Sequence, residues 1–125
     1  KGENMNIRTA TIKDLEAVTS VEAECFPPAE AATREELAYI KETTLKINEL
    51  LKEFFLSMNL KLVDFKIEFG KTADGTILLA DEISPDSCRL WDVDTNQKYD
   101  KDVFRQDIGD LIETYKAVLA RMQNK

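Results

Sequence analysis

The nine residues Leu62-Val63-Asp64-Phe65-Lys66-Ile67-Glu68-Phe69-Gly70 constrain this chain more than any other stretch. Val63, Phe65, Ile67 and Phe69 alternate with Asp64, Lys66 and Glu68, the period of a β-strand with one apolar and one charged face. Asp74-Gly75 is a hairpin turn signal, and Thr76 to Ile83 reads as the returning strand. With Asp74 and Gly75 as the two central turn residues, Ala73 faces Thr76 and Glu68 falls opposite Asp81. Facing carboxylates repel, so the pair is expected to titrate together, with one carboxyl harder to ionise than usual. A divalent cation or Lys66 would offset the repulsion.

The remaining elements follow from periodicity and capping. Asn6 to Ala10 is a short strand candidate. Thr11 with Asp14 three residues on opens a helix through Leu15 and Cys25, which Pro27-Pro28 ends. Thr33 with Glu36 is a second capping box. Behind it Leu37, Ile40, Ile47, Leu50, Leu51, Phe54, Phe55 and Met58 repeat at three- and four-residue spacing, up to a C-cap at Asn59. That run is roughly 39 Å of helix. A polar loop over Ser84 to Asp100 leads to a last helix over about Lys101 to Met122. The expected fold is α+β: a small antiparallel sheet, the hairpin of residues 60–83 plus the strand 6–10, packed on three helices in one domain. Lys1 to Asn4 precede Met5 and read as an expression leftover or an upstream reading frame.

Charge and cysteine content exclude whole classes of function. A net charge of −7 argues against a nucleic-acid partner. No apolar run is long enough to span a membrane. With no histidine, histidine-based catalysis is excluded, and with only Cys25 and Cys88, far apart, the sequence argues against a zinc site. Free thiols fit a reducing, cytoplasmic setting.

Three ordered segments carry a resemblance: Leu62 to Gly70, Asp81-Glu82-Ile83-Ser84-Pro85-Asp86-Ser87-Cys88-Arg89-Leu90-Trp91-Asp92, and Lys98-Tyr99-Asp100-Lys101-Asp102-Val103-Phe104-Arg105. They are similar to successive motifs of SAICAR synthetase, an ATP-dependent ligase of purine biosynthesis, over about residues 33–125. The likeness implies that Glu68 and Asp81 bind Mg²⁺ and that Asp64 and Lys66 line the ATP site. It also implies that Arg89, Lys101 and Arg105 hold the phosphate and carboxylate of the imidazole substrate. Lys66 and Asp86 are then the candidate catalytic residues. The residue types suit these tasks: Mg²⁺ takes one or two carboxylates plus phosphate oxygens, and arginines fork onto anions. The plain alternative is that Asp64, Lys66 and Glu68 are the solvated face of a sheet, and Lys98 to Arg105 a polar loop. Trp91 reads as a core or loop anchor.

Residues 5–37, with Ile7-Arg8-Thr9-Ala10-Thr11-Ile12-Lys13-Asp14-Leu15, resemble the opening of GNAT-family acetyltransferases, without that family's Gly-rich cofactor loop. The expectation drawn from two likenesses meeting near Thr33 is a chimera: 5–32 acetyltransferase-like, 33–125 synthetase-like. It would be folded and lack full activity, because phosphoryl transfer depends on a complete cradle. The alternatives are a ligase fragment with residual nucleotide binding, and a self-associating module, as a homodimer.

Overall fold

In the computed structural model, which describes residues 10–28 and 31–124, helices begin where the capping residues stand. Thr11 opens a 3-10 turn over Ile12–Asp14, its N–H donating to Asp14 Oδ2 at 2.6 Å while its Oγ1 accepts from Lys13 N–H at 3.3 Å. α1 (Leu15–Cys25) follows and stops just before the proline pair, which cannot continue a helix. Thr33 forms the second capping box: its N–H donates to Glu36 Oε2 at 2.8 Å and its Oγ1 accepts from Glu36 N–H at 3.2 Å. α2 (Arg34–Leu56) runs on for 23 residues. Beyond it Asn59 adopts φ 58°, the left-handed conformation a C-cap residue takes. Residues 6–9 of the strand expected at 6–10 lie outside the described residues.

The chain forms two compact units, Lys1–Thr43 and Thr44–Lys125, with α2 passing through the division. In the first, Leu15 is buried and Glu22 Oε1 accepts from Ala32 N–H at 3.2 Å, tying α1 to the connection that follows it. The second carries two two-stranded antiparallel sheets. β1 (Leu60–Phe65) pairs with β4 (Cys88–Asp92), and β2 (Phe69–Lys71) with β3 (Ile77–Leu79). The fold is therefore α+β, but the single hairpin expected over 60–83 is divided between two ladders. β4 lies inside the stretch expected to be loop. Cys88, Leu90 and Asp92 point inward along it and Arg89 and Trp91 are half-buried, an alternation too short to stand out among the Ser, Pro, Asp and Asn residues around it.

Two register shifts correct the expected geometry. The β2–β3 turn contains three residues, Ala73, Asp74 and Gly75, because Thr72 N–H closes the loop onto Thr76 O at 2.9 Å. Gly75, at φ 88°, supplies the left-handed residue that such a loop needs. The extra residue moves the pairing by one, so Phe69 faces Leu79 and Ala80 N–H donates to Glu68 O at 2.9 Å. Glu68 and Asp81 do not sit opposite one another. The second shift is a β-bulge. Leu62 pairs with Leu90 but Asp64 pairs with Arg89, leaving Val63 as the extra residue, 42% exposed. The apolar phase of β1 is thus Leu60, Leu62 and Phe65, in place of the uninterrupted Val63-Phe65-Ile67-Phe69 row.

The core of the second unit joins Phe55 and Met58, Leu60 of β1, Cys88 and Leu90 of β4, and Val118 of the last helix, with Leu51, Leu62, Phe65, Ile83 and Tyr99 packed around them. Leu60 and Leu90 are fully buried. The expected Lys101–Met122 helix is broken. α3 (Asp102–Arg105) ends in a turn with Asp107 at φ 51°, and α4 (Leu111–Gln123) restarts at Asp110, whose Oδ1 accepts from Glu113 N–H at 3.0 Å.

Candidate functional site

Past the bulge, the charged side chains gather into two clusters. In the first, Lys66 Nζ bonds Glu68 Oε1 and lies 3.8 Å from Asp81 Oδ2, so both carboxylates reach one cation despite the shifted register. These contacts raise the Lys66 pKa, chiefly through the hydrogen bond to Glu68. Asp81 is held below the usual carboxylate range, first by hydrogen bonding with Glu82, whose N–H donates at 2.9 Å, and then by the Lys66 charge. The expected raised carboxyl is therefore reversed at Asp81: hydrogen bonding with Glu82 first, and the Lys66 ammonium after it, favour the ionised form.

The second cluster is built on Arg89. Its Nη1 donates to Asp64 Oδ2 at 2.6 Å and its Nε to Asp102 Oδ2 at 2.9 Å. Both bonds raise its pKa, the one to Asp102 most. Asp102 is fixed in turn. Its N–H donates to Asp100 Oδ1 at 2.9 Å, and Asp100, fully buried, accepts from Leu90 N–H at 2.8 Å through its other oxygen. A backbone bond from Lys66 N–H to Ser87 O at 2.8 Å joins the strand to the turn before β4.

The other candidates surround these clusters. Asp86 is exposed in the turn between β3 and β4, with its N–H on Ser84 Oγ at 3.2 Å. Lys101 stands at the N-cap of α3, its N–H donating to Pro85 O at 3.0 Å, and Arg105 follows one turn later, exposed. Tyr115 of α4 lies in the field of Asp86, Asp100 and Arg105. Burial, followed by the two negative charges, raises its phenol pKa. Trp91 is half-buried on β4, with Lys61 and Lys98 Nζ at 5.5 and 5.8 Å from its ring centroid.

The residues that sequence reasoning passed over are Asp100 and Asp102. Their signal was the spacing Asp100-Lys101-Asp102: two carboxylates two residues apart at a helix start can each accept backbone N–H groups. Among the described residues no group of three or more His, Cys, Asp or Glu side chains is placed to hold a metal alone. Glu68 and Asp81 nonetheless fit Mg²⁺, because they already converge on one positive group and Mg²⁺ takes its remaining ligands from phosphate and water. Among the described residues no helix is long and apolar enough to cross a membrane.

Fold and charge clusters together define an α+β protein with a strand edge of paired acids and bases. The chain belongs to the SAICAR synthetase family of purine biosynthesis, whose family profile matches residues 4–122. It is 75% identical to the phosphoribosylaminoimidazole-succinocarboxamide synthase of Finegoldia magna over 91 residues, 73% of this chain and 39% of that one. A SAICAR synthetase solved in complex with ADP superposes with a TM-score of 0.71 at 52% identity, covering 74% of this chain and 40% of that one. Another solved SAICAR synthetase, at 36% identity and a TM-score of 0.62, covers 92% of this chain and 48% of its own. The chain thus spans about two-fifths of the length of the curated relatives it matches. Because the profile begins at residue 4, one family runs through the segment likened to an acetyltransferase, and the expected chimera finds no support.

Proposed function

We propose that this chain is the part of an ATP-dependent carbon–nitrogen ligase that contributes one side of the Mg²⁺-nucleotide site and the anion-binding side of the imidazole-nucleotide site. The observation that carries this reading is the convergence of Glu68 and Asp81 on Lys66. Such a pair, next to a lysine, is what a metal-bound polyphosphate requires. Asp64 and Lys66 would contact the nucleotide; Arg89, Lys101 and Arg105 would meet the phosphate and carboxylate of the second substrate; Asp86 would stand at the reacting end. Bound Mg²⁺ would supply neutralisation of phosphate charge, while Lys66 is freed to meet the phosphoryl oxygens. The ADP held by a solved relative supports the nucleotide assignment.

The test is calorimetric titration of the chain with ADP in the presence of Mg²⁺. Weak, Mg²⁺-dependent binding is expected, reduced at least about tenfold in Glu68→Gln, because one of the two metal carboxylates is gone. Binding with the same affinity in Glu68→Gln would remove the metal role from this pair.

Self-association is a second reading, favoured by Leu45, Leu50 and Leu56 of α2 and Ile112 and Leu119 of α4, all more than half exposed. Light scattering at micromolar concentration is expected to return the mass of a dimer, and a monomer throughout would oppose this reading.

A further inference from the structure

Asp64 and Arg89, assigned above to two different ligands, are bonded to each other at 2.6 Å. The contact is built by the backbone: the bulge at Val63 brings Asp64 opposite Arg89, where an unbroken ladder would have set it one position away. The two ends of the guanidinium differ in their surroundings. Nε is held by Asp102, whose side chain is 10% exposed and whose own N–H is fixed by the buried Asp100. Nη1 is held by Asp64, whose side chain is 53% exposed. One arm is therefore anchored while the other rests on a side chain free to swing into water. Two carboxylates on one guanidinium also leave the trio with a net negative charge. A phosphate or carboxylate approaching Arg89 is repelled until Asp64 lets go.

We propose that the Asp64–Arg89 ion pair is a latch that couples the two ligands. A nucleotide that engages Asp64 releases Nη1 of Arg89, which then receives the anionic end of the second substrate, and Asp102 is the positioning residue that keeps the guanidinium aimed throughout. This rests on the assignment of Asp64 and Arg89 to the two subsites given above. Because coupling between sites is reciprocal, an anion on Arg89 also frees Asp64 for the nucleotide. The latch disfavours binding of either ligand alone and favours the pair, without any domain motion.

The experiment uses the whole ¹⁵N-labelled chain, with ribose 5-phosphate as the anion probe and Mg²⁺-ADP as the nucleotide probe, reading the Arg89 Nε–H resonance and the affinities. Saturating Mg²⁺-ADP is expected to tighten ribose 5-phosphate binding at least about fivefold, the lower end of ordinary coupling. Asp64→Asn should gain the same tightening without nucleotide, and nucleotide should then add nothing. Glu82→Gln, which removes an equal charge from an exposed carboxylate outside both subsites, should change ribose 5-phosphate affinity less than twofold. Asp102→Asn should shift the Arg89 Nε–H resonance and weaken ribose 5-phosphate binding, with the rest of the spectrum preserved. Binding of both probes with unchanged ribose 5-phosphate affinity in Asp64→Asn overturns the latch and leaves the site assignment standing. Equal tightening in Asp64→Asn and Glu82→Gln also overturns it, as a mere effect of net charge. Absence of ribose 5-phosphate binding in every form overturns latch and anion site together.

Discussion

Asp100→Ala is expected to lower the unfolding free energy by about 4 kcal/mol, because it strands two buried backbone donors at once and each orphaned donor costs about 1–3 kcal/mol. Asp100 is fully buried, and its two oxygens accept from Leu90 N–H in the middle of β4 and from Asp102 N–H in the first turn of α3. It is the cross-link between the strand and the helix that carries Lys101 and Arg105. For a unit of this size the loss corresponds to roughly 15 °C or more in melting temperature. Asp100→Asn keeps one oxygen for an N–H but sets an amide NH₂ against the other donor, so it should recover only part of the loss. Urea unfolding followed by Trp91 fluorescence measures both. An Asp100→Ala variant within about 1 kcal/mol of wild type would mean that water or a shifted backbone satisfies both donors.

The helices were legible in the sequence because their signals are local. Thr33 with Glu36, Pro27-Pro28 and Asn59 each act within one turn, and each marks the boundary found in the structure. The sheets were not, because register is settled by one residue. Asp74-Gly75 marks a turn correctly but does not say whether the loop contains two residues or three, and that choice moved Glu68 away from Asp81. The pairing of β1 with β4 is non-local, and β4 is five residues among turn formers. The break between α3 and α4 was hidden because Phe104, Ile108, Leu111 and Ile112 keep a helical spacing across it. Ile108 and Phe104 are in fact largely exposed, so that spacing does not mark a core face. The contacts of the first cluster were less sensitive to register than the strand pairing. Lys66, Glu68 and Asp81 came together even though the counted register was wrong, because a lysine side chain spans the one-residue error. The resemblance implies that Arg89 holds a substrate anion, and its two carboxylate partners, Asp64 and Asp102, come only with the fold.

Acid should expose a second structural link, at the end of β4. Asp92, buried at the strand's last position, accepts from Thr95 N–H and Asp94 N–H at 3.0 Å through Oδ1, while its Oδ2 receives Arg121 Nη2 at 2.9 Å. Arg121 also donates to Met58 O and Asn59 O, at 3.2 and 3.3 Å, and lies 4.6 Å from the Tyr99 ring centroid, so it ties the end of α4 to the end of α2 and to the sheet. The Thr95 backbone bond first, and the Arg121 guanidinium next, lower the Asp92 pKa to about 2 from an ordinary value of 3.8. A carboxyl whose folded pKa is depressed binds a proton more readily in the unfolded chain. Its contribution is therefore complete above the unfolded pKa and is lost as pH falls towards the folded one. The urea midpoint is expected to drop as pH goes from about 4 to about 2, with a component of close to one proton taken up per unfolding event. Asp92→Asn, which keeps an oxygen for the two N–H groups but no charge for Arg121, should be less stable at neutral pH and should lack that component. Asp81 and Asp74 are depressed as well, so the comparison of the two proteins isolates Asp92 from the general acid response. Parallel pH profiles for wild type and Asp92→Asn would show that the Asp92 carboxylate adds no charge-dependent stability. A shallower profile in the variant would identify the Asp92 carboxylate, held by Thr95 N–H and Arg121, as the acid-sensitive clasp of the sheet.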